Sequence, residues 1–359
     1  MELAAAQGVN DAWLSRAIFA ASGALPNKPE ARYNSGLALA ISAKAGLEPS
    51  INSIANSRLD LAAALARQDT FSPAMRVQAA GVAAEAGLLS GEEHRALYKA
   101  LVQSEGFSPR TPIEVALKTT LEAGNDTGAK ARTLRAALRT ARGNAARFGA
   151  VSRLLLEDLQ ALTPSEETER MVFDFVYASL AANEPDEAWR WFTGSPGAKG
   201  DAFERAWVGG VLVLTKLDLR KDETDGVTEG KAANQKIATA LIKEAKTTKQ
   251  KQAVARLFVL WKAIGVGLPA EARAFLATHT EQKNQGRISP FLLESITAAA
   301  REQAGAEVVL QLAKLTNGDA YKLSAIDAGT LVGALRQLGQ EDAAHMLALE
   351  ATGYWRNSL

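Results

Sequence analysis

The chain has 359 residues with 41 Lys and Arg against 40 Asp and Glu, a formal charge of +1. Such balance argues against a chain built as a whole for nucleic acid or an anionic membrane, though a local patch stays open. The lack of cysteine excludes disulfides, thiolate metal sites, iron–sulfur clusters and a cysteine nucleophile. Apolar residues make up 47% of the chain but aromatics only 6%. That is enough for a large core or two domains. Alanine stands where a sheet protein would carry valine or isoleucine; it costs least in a helix and lets two helices approach closely.

The first 25 residues lack a basic leader followed by an apolar core, so they do not read as a signal peptide. A chain without cysteine suits an oxidising compartment. If the parent protein is exported its leader has been removed, and on that reasoning a periplasmic or secreted location is placed ahead of a cytoplasmic one. The most apolar windows, 208–214 and 257–266, are too short to span a bilayer. A soluble chain is expected.

Start and stop signals then follow one another about every 15–20 residues, the rhythm of paired helices. Asn10 caps a helix running to about Ser22, closed by Gly23, and Pro29 opens a second through Lys44, closed by Gly46. A run over 57–68 follows. Ser72-Pro73 starts a helix over 74–86 that Gly87 ends, and Ser90 with Glu93 forms a capping box for 92–102. Pro112 starts a helix to Ala123, and 129–140 comes next. A longer helix over 145–162 has Val151, Leu154, Leu155 and Leu159 on its apolar side. Thr163-Pro164-Ser165 breaks it before helices at 166–182 and 185–192. Residues 193–200 form a loop. The helix at 201–217 carries Phe203, Trp207, Val211 and Leu214 at helical spacing, with Gly209-Gly210 read as close helix packing. The polar stretch 218–230 is the clearest shift in composition. It divides an N-terminal helical region, 1–217, from a C-terminal one, 231–359, that can also continue it as one superhelix. Helices at 232–245, 249–264, 269–279, 290–303, 306–315, 325–338 and 341–351 complete the chain.

The segment 177–192, YASLAANEPDEAWRWF, ends one helix in small residues, makes a short polar turn and restarts at Asp-Glu-Ala-Trp. In 331–351, Leu335, Leu338, Ala344, Leu347 and Ala351 make a shared apolar seam around a Gly339-Gln340 turn. These hairpins resemble tetratricopeptide-like (TPR-like) repeats, best over 166–192 and 269–351, without the full consensus set of aromatic, glycine and proline positions. The expected fold is all-α: a superhelical array of antiparallel helical hairpins, an α-solenoid whose repeats are too degenerate to define a period. What the resemblance implies is a concave surface for a peptide or protein partner.

Motifs that carry chemistry are sparse. His94, His279 and His345 fall on three helices, and none lies in HExxH. His94, beside Glu92 and Glu93, reads as a surface residue, and His279 as a helix C-terminal residue favoured by the dipole. His345 follows Asp342 by three residues, a pair that orients an imidazole but has no serine elbow to serve. The acidic stretch of Asp218, Asp222, Glu223, Asp225 and Glu229 fails as an EF-hand. With Gly226 in the glycine position, Lys221 and Ala232 occupy the first and last ligand positions. A solvated loop is the simpler reading, with weak cation binding behind it. There is no Walker loop, dinucleotide fingerprint or GxSxG elbow. The carboxylates Glu166, Glu167, Glu169, Asp186 and Glu187 sit at helix starts, where they favour the dipole. No catalytic residue, cofactor or metal is assigned, and enzyme activity is left undecided.

The most uneven charge lies in Lys130, Arg132, Arg135, Arg139, Arg142, Arg147 and Arg153, with no acid between Asp126 and Glu157. Arg132, Arg135, Arg139 and Arg142 have 3-4-3 spacing and share a helix face, a row suited to carboxylates or phosphates. A solvated face or intramolecular pairing ranks first, an acidic protein or glycan second. Nucleic acid ranks last, since only Phe148 interleaves. Trp189, Trp191, Phe192 and Trp207 cluster, and core packing is favoured for them. Trp189 and Trp191 lie about 200° apart on a helix, so one of them reaches another layer or a ligand. Tyr354-Trp355 is expected to cover the last repeat. The expected function is a non-catalytic protein–protein scaffold or adaptor, in a bacterial envelope or secretion assembly, touching its partner first through the four arginines and Trp191. The alternatives are a glycan-binding or cell-wall-processing protein with an all-α cleft, and a nucleic-acid-binding solenoid.

Overall fold

A computed structural model describes residues 11–24, 29–32, 35–48, 54, 59–122, 124, 126–195, 200–215, 226–279 and 287–356, with backbone alone for 226–231. The protein is all-α: among the described residues there are nineteen α-helices, one short 3-10 helix and no β-strand. The helices are α1 (Ala12–Ala21), α2 (Gly36–Lys44), α3 (Leu59–Arg67), α4 (Pro73–Glu85), α5 (Gly91–Val102), α6 (Pro112–Glu122), α7 (Thr127–Ala141), α8 (Ala145–Leu154), α9 (Leu156–Gln160) and α10 (Val172–Ala181). They continue with α11 (Pro185–Thr193), α12 (Ala202–Val213), α13 (Gly226–Glu244), α14 (Thr248–Ala263), α15 (Ala270–Thr278), α16 (Pro290–Arg301) and α17 (Gly305–Thr316). After the 3-10 turn Ala320–Lys322 come α18 (Ala325–Gln337) and α19 (Glu341–Thr352). No described helix is long and apolar enough to cross a membrane.

Capping chemistry accounts for most boundaries. Ser90 and Glu93 form the expected capping box, Glu93 N–H donating to Ser90 Oγ at 3.1 Å and Ser90 N–H to Glu93 Oε2 at 3.1 Å. Proline opens α4, but Ser72 points its N–H and hydroxyl at Glu48 (2.7 and 3.2 Å) and makes no side-chain cap. Gly87 (φ 74°) ends α4 in the left-handed conformation that glycine adopts without penalty. Asn183 (φ 65°) plays that part between α10 and α11, the turn of the TPR-like segment.

Several expected boundaries move. Asn10 lies outside the described residues, and Asp11 caps α1, accepting from the Trp13 and Leu14 amides. The second helix starts at Gly36, not Pro29, because the Ser35 hydroxyl caps it by accepting from Ala38 N. The long helix expected over 145–162 is interrupted at Leu155. Arg95 donates to the Leu154 carbonyl at 3.2 Å, giving that oxygen a partner outside the helical ladder. The helix expected from Glu166 starts at Val172, since Thr168 Oγ1 accepts from Ser165 N–H and donates to Ser165 C=O, holding 165–168 as a turn. Part of the polar stretch is helical too: α13 begins at Gly226, while 216–225 lie outside the described residues.

Neighbours in sequence pack as hairpins: α3 on α4, α6 on α7, α10 on α11, α12 on α13 and α18 on α19. Longer-range packing sets α8 against α4, α5 and α10, and α14 against α18 and α19. One buried cluster runs from Val77 to Trp355 and includes residues on both sides of 218–230, such as Leu214 and Leu241. A second gathers α3, α4 and their neighbours around Leu61, Leu65, Ala79 and Ala83.

Alanine and glycine permit this closeness. At Gly210 in α12 a Cβ would stand 2.7 Å from Leu257 Cδ2 and 2.9 Å from Leu241 Cδ1. The Gly210 carbonyl accepts from Trp261 Nε1 at 2.9 Å. Gly81 in α4, by contrast, has nothing within 4 Å of its missing Cβ. Gly210→Ala is expected to destabilise the fold by ~1–3 kcal/mol through overpacking. Gly81→Ala should stabilise it by up to ~1 kcal/mol through helix propensity. Urea unfolding followed by circular dichroism reads both; equal effects would show that α12 does not pack this tightly in solution.

Candidate binding cleft

The basic helix face turns inward. Arg135 Nε lies 2.7 Å from Asp174 Oδ2, while Arg139 Nε and Arg142 Nη2 lie 3.4 and 2.7 Å from Oδ1. Asp174, on α10, is buried, and so is Arg142, whose guanidinium also sits 5.2 Å from the Tyr177 ring and 5.8 Å from Phe148. Arg132 and Arg139 remain exposed and Arg135 half-buried. The row expected to meet a partner is thus largely taken up by one carboxylate of the same chain, because a charge removed from water needs an opposite charge beside it. Asp174 is the single acid in the apolar run VFDFVYASLA, and that isolation was its signal.

Trp191 is not a surface contact. It is fully buried against Phe175 at a ring-centroid distance of 4.9 Å, under the Arg190 guanidinium at 5.0 Å. Trp189, on the opposite side of α11, is half-buried and meets Phe192 edge-on at 6.0 Å. The two tryptophans part company as their angular separation requires, with the core claiming Trp191.

An open cleft of about 620 Å³ lies between parts of the chain far apart in sequence. One side is the end of α4 (Glu85, Ala86, Gly87) with Ala145, Gly149 and Arg153 of α8. The other is Leu312 and Ala313 of α17, Leu335 of α18, and Leu347 and Glu350 of α19, followed by Tyr354 and Trp355. Small residues make most of the first side, so the space exists because side chains there stop at Cβ. Val309, 54% exposed, is also in the lining, and Leu310 beside it is 72% exposed.

Three charged groups line this mostly apolar space. Arg153 is half-buried; its Nη2 donates to the Ala84 carbonyl at 3.3 Å, and burial pulls its pKa below the usual guanidinium value. Partial burial holds the Glu85 carboxyl above its ordinary range, opposed by Arg147. Burial raises Glu350 as well, against the hydrogen bond it accepts from Ala320 N at 3.2 Å and with some help from Asp319. Desolvation penalises the charged form in all three.

The histidines lie elsewhere. His94 is buried, because about 100° and 200° round α5 separate it from the exposed Glu93 and Glu92. Neither ring nitrogen finds a partner among the described residues, and the ring leans on Tyr98 at 5.3 Å. Burial, with Arg153 nearby, pushes its pKa down to about 4. His345 lines a separate cavity of about 190 Å³ with Asp342 and Thr215, and its Nδ1 bonds the Leu214 carbonyl rather than Asp342. His279 stacks on Phe275 at 4.0 Å. Asp218, Asp222, Glu223 and Asp225 lie outside the described residues. Among the described residues no three His, Asp or Glu side chains group to hold a metal ion. Comparison with protein families, with curated proteins and with solved structures finds no match.

Two outcomes follow from the buried charges. Asp174→Asn leaves Arg142 buried beside a neutral group and is expected to cost ~3–5 kcal/mol. Arg139→Ala, at an exposed position, should cost under ~1 kcal/mol. Similar losses from both, measured by urea unfolding, would mean that Asp174 is not the centre of the cluster. His94 has a folded pKa of about 4, below the ~6.5 of an unfolded histidine. Between those values the unfolded chain binds more protons, so stability falls as pH drops through that window, by at most ~3 kcal/mol. His94→Leu should flatten this acid limb in melting temperatures taken from pH 7 to 4.

Proposed function

We propose that the protein is a binding scaffold of hairpins in a TPR-like superhelical array, and that it holds a segment of a partner polypeptide in the cleft between α4–α8 and α17–α19. The cleft itself carries this reading. It is open and mostly apolar, and its small-residue side leaves room for a polypeptide backbone, while exposed Val309 offers contact to apolar side chains. The arginine face is a poorer site, since three of its four guanidinium groups lie at Asp174. Exposed Arg132 and Arg139 would add only peripheral attraction.

A second reading rests on Glu85 and Glu350. Two carboxyls with raised pKa values line one cleft, and a carboxyl held protonated there can serve as the general acid of an enzyme with an all-α cleft. The apolar lining gives such an enzyme few groups to orient a sugar or other polar substrate, so binding is preferred to catalysis.

Selection of peptides from a random displayed library tests the primary reading. Enriched peptides are expected to lose at least tenfold in affinity when Ala313→Trp fills the cleft, and to change less than twofold in the Arg132→Ala, Arg139→Ala double variant. The reverse pattern would move the site to the arginine face. Peptides insensitive to both variants would end the cleft reading.

A further inference from the structure

The cavity of about 190 Å³ lies where the end of α12, the α10–α11 turn and the first turns of α19 meet. Its polar lining is His345 and Asp342 of α19, Thr215 after α12 and Asn183 of the turn, with Pro185 and Met346 as half-buried apolar neighbours. His345 is 8% exposed, and its Nδ1 is hydrogen-bonded to the Leu214 carbonyl. A carbonyl only accepts, so Nδ1 carries the proton and the neutral ring presents Nε2 as a lone pair. Nε2 makes no hydrogen bond among the described residues, yet it is not sealed from solvent, in contrast to both ring nitrogens of His94. A buried ring thus keeps an accepting nitrogen open to the cavity it lines. Thr215 Oγ1 donates its hydrogen to the Leu212 carbonyl at 2.7 Å, so toward the cavity it too can only accept. Asp342, one turn before His345 on the same helix, is exposed and makes no ion pair or hydrogen bond among the described residues. Its place in the first turn suits the helix dipole, but the dipole gives no reason for the free nitrogen of His345. Of the lining side chains only Asn183 has N–H donors to give, and among the described residues no cation lines the cavity.

We infer that this cavity binds a small organic cation, a primary ammonium group on a short apolar body. The ammonium brings three N–H donors and a positive charge to a space whose polar groups mostly accept and whose one charged lining residue is Asp342. It donates to His345 Nε2 and Thr215 Oγ1 and pairs with the Asp342 carboxylate, while the apolar body rests on Met346 and Pro185. The volume is below the roughly 300 Å³ at which sites for drug-sized ligands begin, so the body is short. A divalent metal ion fits less well, since among the described residues no three His, Asp or Glu side chains group to hold one. An anion would meet the Asp342 carboxylate and the lone pairs of His345 and Thr215. The site is separate from the cleft proposed for a partner polypeptide, and neither reading depends on the other.

The test titrates pentylamine, pentanol and pentanoate, equal in chain and different in head group, into the isotope-labelled full chain at pH 8, where an alkylamine is charged as lysine is. Long-range proton–nitrogen NMR spectra report the ring nitrogens of the three histidines. In the free protein His345 is expected to be protonated at Nδ1 and bare at Nε2. Pentylamine should shift the Nε2 signal saturably, leave His279 unmoved and bind about tenfold more tightly than pentanol, with no effect of pentanoate. Asp342→Asn, at an exposed position, should weaken pentylamine about tenfold and leave pentanol within about twofold. The comparison of head groups in the unaltered protein needs no variant, so it stands even where Asp342→Asn fails to fold. Any other protonation of the free His345 ring overturns the inference, as does pentanol binding as tightly as pentylamine, an Asp342→Asn chain with unchanged amine affinity, or no response to pentylamine. Zinc ion moving the Nε2 signal where pentylamine does not would overturn it too, by reassigning the cavity to a metal.

Discussion

The guanidinium of Arg256 determines where the C-terminal part of the chain lies. It is buried on α14 and donates to carbonyls from the 320–323 turn and from the end of α19, with the Tyr321 ring 4.8 Å away. Those oxygens belong to a turn and a helix terminus, the places where backbone acceptors lack partners in the helical ladder. One buried cation thus satisfies several orphan carbonyls, and they in turn replace the water it gave up. The consequences reach the cleft. Glu350 is fixed from the same turn through Ala320 N, and Tyr354 is set against Tyr177 at 5.8 Å. The side of the cleft formed by α19 and Trp355 inherits its position from an arginine that does not line it.

Other buried charges repeat the arrangement. Arg95 joins α5 to α9 through Asp158, and Arg142 joins the end of α7 to α10 through Asp174. Each links elements that follow from the chain's order but whose separation in sequence hides the pairing. Loss of one partner leaves the other charge stranded in the interior, so these pairs constrain which helix surfaces meet more than they add to net stability. Arg76 and Arg153, both half-buried, instead donate to single backbone carbonyls, those of Ala66 and Ala84.

Local signals were legible in the sequence because they act over a few residues. The capping box at Ser90 and Glu93, the proline at the start of α4 and the αL turn at Gly339 each depend on neighbours within one turn, and each is found where expected. Of the expected seam, Leu335, Ala344, Leu347 and Ala351 are buried and Leu338 is half-buried. Errors arose where a distant residue intervened. Arg95 reaches 59 positions along the chain to take the Leu154 carbonyl at the helix break. The 3-4-3 spacing correctly placed the arginines on one face, but spacing cannot say that Asp174 waits opposite. His94 shows the limit of judging exposure from neighbours, since adjacent helix positions differ by 100°. The cleft was least legible, because it joins residues near 85, 153 and 350 and depends on two apolar surfaces failing to meet.

That failure to meet is informative. Elsewhere the chain fills its interior with Trp191, Trp207, Trp261 and Phe258, each with at most 1% of its surface exposed, and it draws α12 and α14 so close that Gly210 has no room for a methyl group. A sequence able to pack that densely would gain by placing Leu where Ala145, Gly149 and Ala313 line the open space, since each apolar side chain buried against Leu312 or Leu347 removes surface from water. Small residues there leave the space open, and the packing this forgoes is a cost that a segment filling the cleft would offset on the proposed function.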